Sequence, residues 1–128
     1  MFQHFVLIAL GGAIGSVLRY AIHYYFALHN ELQHHWATFF VNIIGSLLIG
    51  FLFIILEKHS NATNLKLLLM IGFCGGFTTF STFNFENYKL MIQHQYLQAF
   101  LYILSSIIFG IASIFIGVFI GKFLLKFI

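Results

Sequence analysis

Aspartate is absent from this chain of 128 residues, and its only acidic side chains are Glu31, Glu57 and Glu86. None of these sits near the middle of an apolar run, so the mid-membrane carboxylate expected of a proton-coupled cation exporter is missing. Charged residues of both signs make up 7% of the sequence, against roughly 25% in soluble domains, which excludes a water-soluble fold. A single cysteine, Cys74, rules out an intramolecular disulfide and CxxC-type metal sites; its expected place is as a small apolar filler. The basic residues Arg19, Lys58, Lys66, Lys89, Lys122 and Lys126 are scattered rather than gathered in a stripe, so nothing favours nucleic acid as a partner. Met1 to His4 carries no Lys or Arg and the first apolar run continues to about Leu28, so a cleaved signal peptide is not expected.

Hydrophobic residues fill 61% of the chain. Four windows, Phe5 to Leu28, Trp36 to Leu56, Leu65 to Phe85 and Leu97 to Phe119, match the roughly 20 helical residues that cross a hydrocarbon core of about 30 Å. The prediction is an all-α membrane protein, one four-helix transmembrane domain over residues 1–128. Unbroken apolar runs exclude the alternation of transmembrane β-strands. Short polar connectors are expected at Asn30 to His35, Glu57 to Asn64 and Asn87 to Tyr96, with Trp36, Tyr24, Tyr25, Tyr88 and Tyr96 as interfacial anchors. Lys58, Lys66, Lys122 and Lys126 share the side of the N-terminus, which favours cytoplasmic termini. The bias is small enough to permit insertion of copies in both orientations.

Gly72-Phe73-Cys74-Gly75-Gly76-Phe77-Thr78-Thr79-Phe80-Ser81-Thr82-Phe83 sets paired glycines and four hydroxyls inside the third apolar run. Such a run predicts a helix break, with the glycines as breakers. Backbone groups released at membrane depth must be buried in protein or line a cavity, because each unsatisfied group in hydrocarbon costs several kcal/mol. In the last run Tyr102, Ser106, Gly110, Ser113, Gly117 and Gly121 fall on one helical face, and Gly12, Gly45 and Gly50 lie on others; close helix packing accounts for the glycines. Arg19 either snorkels to the interface or supplies a positive field near a water-filled vestibule.

The membrane-depth donors Thr38, Asn42, Ser46, Thr78, Thr79, Ser81, Thr82, Tyr102 and Ser106 can surround a small anion, and none is negative. Phe80 and Phe83 stand one helical turn apart beside them. Such a pair is ordinarily core packing, yet inward ring edges are electropositive and can attract an anion with about 1 kcal/mol each. Around Gly75 to Thr78 the released carbonyls offer oxygen ligands without a carboxylate, which admits a monovalent cation. One chain has too little wall for a pore, so association is expected, most simply as a two-fold dimer. The seven histidines cluster at run ends, His34-His35 included, and no nucleophile, base and acid constellation can be read, so an enzyme is not expected.

Three motifs, one in each of the first three spans, carry a likeness that extends over nearly the whole chain: Gly11-Gly12-Ala13-Ile14-Gly15-Ser16-Val17-Leu18-Arg19-Tyr20, Thr38-Phe39-Phe40-Val41-Asn42-Ile43-Ile44-Gly45-Ser46, and Gly72 to Phe83. In these the sequence resembles the Fluc/CrcB fluoride channels, departing at Ser16, where the family has alanine, and at Gly110, where a further pore hydroxyl is expected. The resemblance implies an antiparallel, dual-topology homodimer in the cell inner membrane that exports fluoride passively from the cytoplasm. It implies pore-lining rings at Phe80 and Phe83, a fluoride-coordinating donor at Asn42, and polar pore neighbours at Thr38, Ser81, Thr82, Tyr102 and Ser106. It further implies a structural sodium ion (Na+) held at the dimer interface by the Gly75 and Thr78 carbonyls, with Arg19 and Glu86 as vestibule charges. A small multidrug-type exporter shares the length and span number, and a non-conducting scaffold would account for the glycine stripes alone.

Overall fold

The computed structural model describes residues 1–29, 34–58 and 62–127. Residues 30–33 of the first expected connector, Glu31 included, and 59–61 of the second lie outside the described residues. Helix α1 runs over Phe2–His29 and α2 over His34–Glu57. The third span, Thr63–Ile92, is composite: a short turn α3 (Thr63–Leu65), a wider π-helical stretch (Lys66–Cys74), the turn α4 (Gly75–Phe77) and helix α5 (Phe80–Ile92). Helix α6 covers Tyr96–Leu124. All four spans are long and apolar enough to cross a membrane.

Glycine holds these helices in two close pairs. On α1, a Cβ at Gly11 would overlap the Leu68 carbonyl oxygen, and one at Gly15 would overlap that of Phe73, so α1 lies backbone to backbone on the π-helical stretch. On the other pair, a Cβ at Gly117 of α6 would strike the Leu47 carbonyl oxygen and one at Gly50 of α2 that of Ile114. Close approach gathers the dispersion contacts and weak backbone interactions that drive association where lipid removes the hydrophobic driving force. The small stripe on α6 is therefore packing surface, with Ser113, Gly117 and Gly121 buried against α2. Cys74 is fully buried, as expected of an apolar filler. Large apolar side chains such as Phe115 and Phe119 point outward, as a lipid solvent requires.

The break is made by threonines, not by the glycines expected to make it. Gly75 and Gly76 are helical, and no glycine among the described residues has positive φ. Thr78 (φ −80°, ψ 158°) and Thr79 (φ −148°, ψ 122°) are the extended residues. With no proline in the chain, the break arises from hydrogen bonds that divert backbone groups from the helix. The glycines supply room instead: a Cβ at Gly76 would lie 2.9 Å from Gly12 Cα, whereas one at Gly75 would meet nothing within 4 Å.

Helix α5 continues to Ile92, seven residues beyond Phe85, where hydropathy falls because Glu86, Asn87 and Lys89 enter. Hydrogen bonding meets part of that polarity: Asn87 is enclosed and its Nδ2 donates to the Phe83 carbonyl at 2.9 Å, while its Oδ1 has no partner among the described residues. The helix closes in a left-handed cap, with His94 at φ 59°, His94 N–H bonded to Met91 O at 3.1 Å and Gln95 N–H to Leu90 O at 2.9 Å. The expected third connector thus shrinks to Gln93–Gln95.

Candidate functional site

Asn42 organises the break from the neighbouring helix. Its Oδ1 accepts the Thr79 N–H at 2.8 Å and its Nδ2 donates to the Thr79 carbonyl at 3.0 Å, so both sides of the amide grip one residue of the third span. One Nδ2 hydrogen remains for another acceptor. Thr79 then caps α5: its Oγ1 accepts from Thr82 N–H at 3.2 Å and donates to Thr82 Oγ1 at 3.0 Å, with Ser81 Oγ at 3.4 Å.

These diversions decide which carbonyls are released. In an unbroken α-helix the Gly75 carbonyl takes the N–H of Thr79 and the Thr78 carbonyl takes that of Thr82. Asn42 holds the first donor and the Thr79 hydroxyl the second. Gly75 and Thr78, whose carbonyls the resemblance implies as cation ligands, are thus among the residues at the break whose α-helical donors are bonded elsewhere. Gly76 is treated differently: its carbonyl accepts from Arg19 Nε at 3.0 Å, with Ser16 Oγ at 3.5 Å. Arg19 is therefore tied to the break by a charge-assisted bond, and it lines a cavity of about 400 Å³ with Ser16, Tyr20, His23 and Thr82.

From the break an aromatic and hydroxyl file runs along α5. Phe80 is 74% exposed on the face of a second cavity of about 240 Å³, which Asn42, Ser46, Thr78 and Thr79 also line. Its ring stacks at 6.1 Å on Phe83, and Phe83 meets the Tyr102 ring at 5.0 Å and 63°, an edge-on contact. Beyond the rings, Tyr102 donates to Glu86 Oε2 at 2.8 Å and Thr38 donates to Glu86 Oε1 at 2.7 Å, so both carboxylate oxygens accept a hydroxyl hydrogen. Ser106 Oγ is buried without a hydrogen-bond partner among the described residues. The half-buried Gly110 faces Ser46 across the α2–α6 contact.

The structure brings Asn42, Thr78, Phe80, Phe83, Thr38, Tyr102 and Glu86 into one file. Ser81 and Thr82 sit at its break end, and Arg19 holds the opposite flank. Spacing does not single out Thr79, the residue on which the break turns. Its signal is a threonine immediately before a helix with a partner three residues on, obscured here by three other hydroxyls nearby. Among the described residues no group of three or more His, Cys, Asp or Glu can hold a metal ion.

Comparison with known proteins shows the family. A sequence model described as "CrcB-like protein, Camphor Resistance (CrcB)" matches residues 6–118. A fluoride-specific ion channel FluC of Flavobacterium psychrophilum is 45% identical over 116 residues, covering 90% of this chain and 94% of that one. Fluoride-specific ion channel FluC 2 of Clostridium acetobutylicum is 41% identical, over 92% of this chain and 97% of its own. The FluC of Gloeothece citriformis is 39% identical over 91% and 95%. With a family match across the motifs at the break and similarity along nearly the full length of each relative, the chain belongs to the CrcB family.

Proposed function

We propose that this protein is a fluoride-selective channel that lets the anion leave the cytoplasm passively through the cell inner membrane. The carrying observation is the file that joins the break to Glu86: aromatic rings and hydroxyls in successive contact, free of negative charge until Glu86. Relatives named as fluoride-specific channels support the same reading. No catalytic role follows from it.

Energetics divide the labour along the file. An aromatic contact is worth about 0.5–1.5 kcal/mol, whereas stripping a small ion in a dry site costs tens of kcal/mol. The Phe80 and Phe83 edges guide and select; donors at roughly 1.5–3 kcal/mol per bond to a charge, with residual water, replace the hydration shell. The remaining Asn42 Nδ2 hydrogen and the unpartnered Ser106 hydroxyl are such donors. The Thr38 and Tyr102 hydrogens are held by Glu86, so an anion takes them only as the carboxylate yields its bonds.

Assembly follows from what one chain leaves open. Phe80 is exposed and a Cβ at Gly75 would meet nothing within 4 Å, so this side of the break is open to a second copy. In an antiparallel, dual-topology homodimer the released Gly75 and Thr78 carbonyls of two copies give four oxygens around the axis. That donor set suits a hard monovalent cation such as sodium. The ion would supply positive charge that holds the two breaks together.

The deciding experiment is fluoride efflux from liposomes containing the purified protein. Wild type releases fluoride electrogenically and excludes chloride, and Phe80→Ile or Phe83→Ile abolishes the flux. Flux that survives both substitutions overturns the pore assignment.

A further inference from the structure

Most of the donor hydrogens lining the cavity of about 240 Å³ at the break are already committed. Thr78 Oγ1 donates to the Cys74 carbonyl at 2.8 Å, Thr79 Oγ1 to Thr82 Oγ1 at 3.0 Å, and one Asn42 Nδ2 hydrogen to the Thr79 carbonyl at 3.0 Å. Ser46 is the exception. It lines the same cavity one helical turn beyond Asn42 on α2, and its hydroxyl makes no hydrogen bond to another described residue. A serine inside a helix ordinarily returns its hydroxyl to the carbonyl one turn earlier or points it to water, so this hydrogen is available to an occupant of the cavity. The facing wall leaves it room: a Cβ at Gly110 of α6 would meet only Ser46 Oγ within 4 Å, at 3.9 Å. Ile49, Ile114 and Phe80 are the apolar side chains of the lining, and none of the lining side chains is charged.

We propose that Ser46 is a further anion-binding residue of the path: its hydroxyl and the remaining Asn42 hydrogen together hold a small monovalent anion in this cavity beside Phe80. The inference deepens the channel reading above and rests on it. A cavity of about 240 Å³ has room for several waters at about 30 Å³ each, so an anion enters it partly hydrated. Two donors one turn apart on α2 then replace two of those waters. Asn42 is fixed by its clamp on Thr79, whereas the Ser46 hydroxyl turns about its C–O bond and can follow the ion. Apolar neighbours strengthen both bonds by lowering the local dielectric, and the attraction grows as the ion's radius falls, which favours the smallest halide. Small-residue packing between α2 and α6 is the competing account of Ser46. It makes alanine an equivalent residue, because the methyl fills the same place.

The test is the fluoride concentration that gives half-maximal initial efflux from proteoliposomes, with leak from protein-free liposomes subtracted, measured beside the thermal midpoint in detergent. Ser46→Ala raises that concentration about threefold to tenfold, as the loss of one bond to a charge shared with water gives, and leaves the midpoint at its wild-type value. Adding Gly110→Ser to Ser46→Ala returns a hydroxyl to the same space from α6 and brings the concentration back to within about twofold of wild type. Ser46→Cys, close in size but a weak donor, gives the same rise as Ser46→Ala and decides the matter if the alanine variant fails to purify. A Ser46→Ala protein with the wild-type half-maximal concentration overturns the inference. A rise that Gly110→Ser leaves uncorrected also overturns it, since Ser46 then acts through packing. A wild type that moves no fluoride at all instead refutes the channel reading on which the inference rests.

Discussion

Replacing Asn42 with leucine removes both halves of the clamp on Thr79 while nearly preserving volume. Two hydrogen bonds are lost, at 2.8 and 3.0 Å, and the Thr79 N–H and C=O are left at membrane depth. Side-chain hydrogen bonds within membranes average about 0.6 kcal/mol, while an unsatisfied buried backbone group costs about 1–3 kcal/mol, so the loss lies at about 1–4 kcal/mol. Part is recoverable, because the freed Thr79 N–H can return to the Gly75 carbonyl and rewind the break. Rewinding consumes one of the proposed cation ligands. Asn42→Leu therefore lowers the thermal midpoint in detergent and, in the liposome assay, loses flux together with any stabilisation by sodium. Asn42→Asp separates the causes: it keeps the acceptor for Thr79 N–H but sets a carboxylate oxygen against the Thr79 carbonyl, so it is at least as damaging. An Asn42→Leu protein with wild-type midpoint, sodium response and flux would refute the assignment of the break to this clamp.

Three further outcomes are expected. Gly11→Ala drives a methyl into the Leu68 carbonyl and destabilises the fold by about 3 kcal/mol or more, whereas Gly12→Ala, whose Cβ meets only the Gly72 oxygen at 3.8 Å, stays within about 1 kcal/mol; urea or thermal unfolding in detergent compares them. His94→Gly relieves a left-handed non-glycine residue and raises stability by about 0.5–1 kcal/mol, read as a higher thermal midpoint, after allowing for its exposed bond to Tyr96. Replacing sodium by a bulky organic cation during purification loosens the dimer, seen as monomer on size-exclusion chromatography, and returning sodium restores it; dimers indifferent to the exchange contradict the four-carbonyl site.

Apolar runs made four spans legible because crossing a bilayer demands about 20 consecutive hydrophobic residues, whatever their tertiary partners. The end of the third span was not, since hydropathy cannot anticipate that the packing of Asn87 and the bonds to Glu86 carry a helix through polar residues to Ile92. The same distinction governs the site. Residue type alone marked Asn42, the hydroxyls and the phenylalanines as unusual at membrane depth. Which hydrogen bonds Asn42 would make depends on a neighbour 37 positions away in the sequence, so the clamp on Thr79 could be read only from coordinates.

Placing the break in threonines rather than glycines changes what selection must preserve there. A glycine hinge is permissive, and any cavity shape can follow it. Here the extended residues are held by an amide from α2 and by a cap, while Gly11, Gly15 and Gly76 lock the preceding stretch to α1. The carbonyls released by that geometry are consequently fixed in direction before any ion arrives. A preorganised oxygen set loses little entropy on binding, and the file of rings beginning one residue later starts from the same fixed point. The proposed cation site and the proposed anion path are therefore mechanically one object: a change that loosens Asn42 or Thr79 is expected to disturb both, whereas a change confined to the Phe83 or Tyr102 rings is expected to alter anion passage and leave the proposed cation site intact.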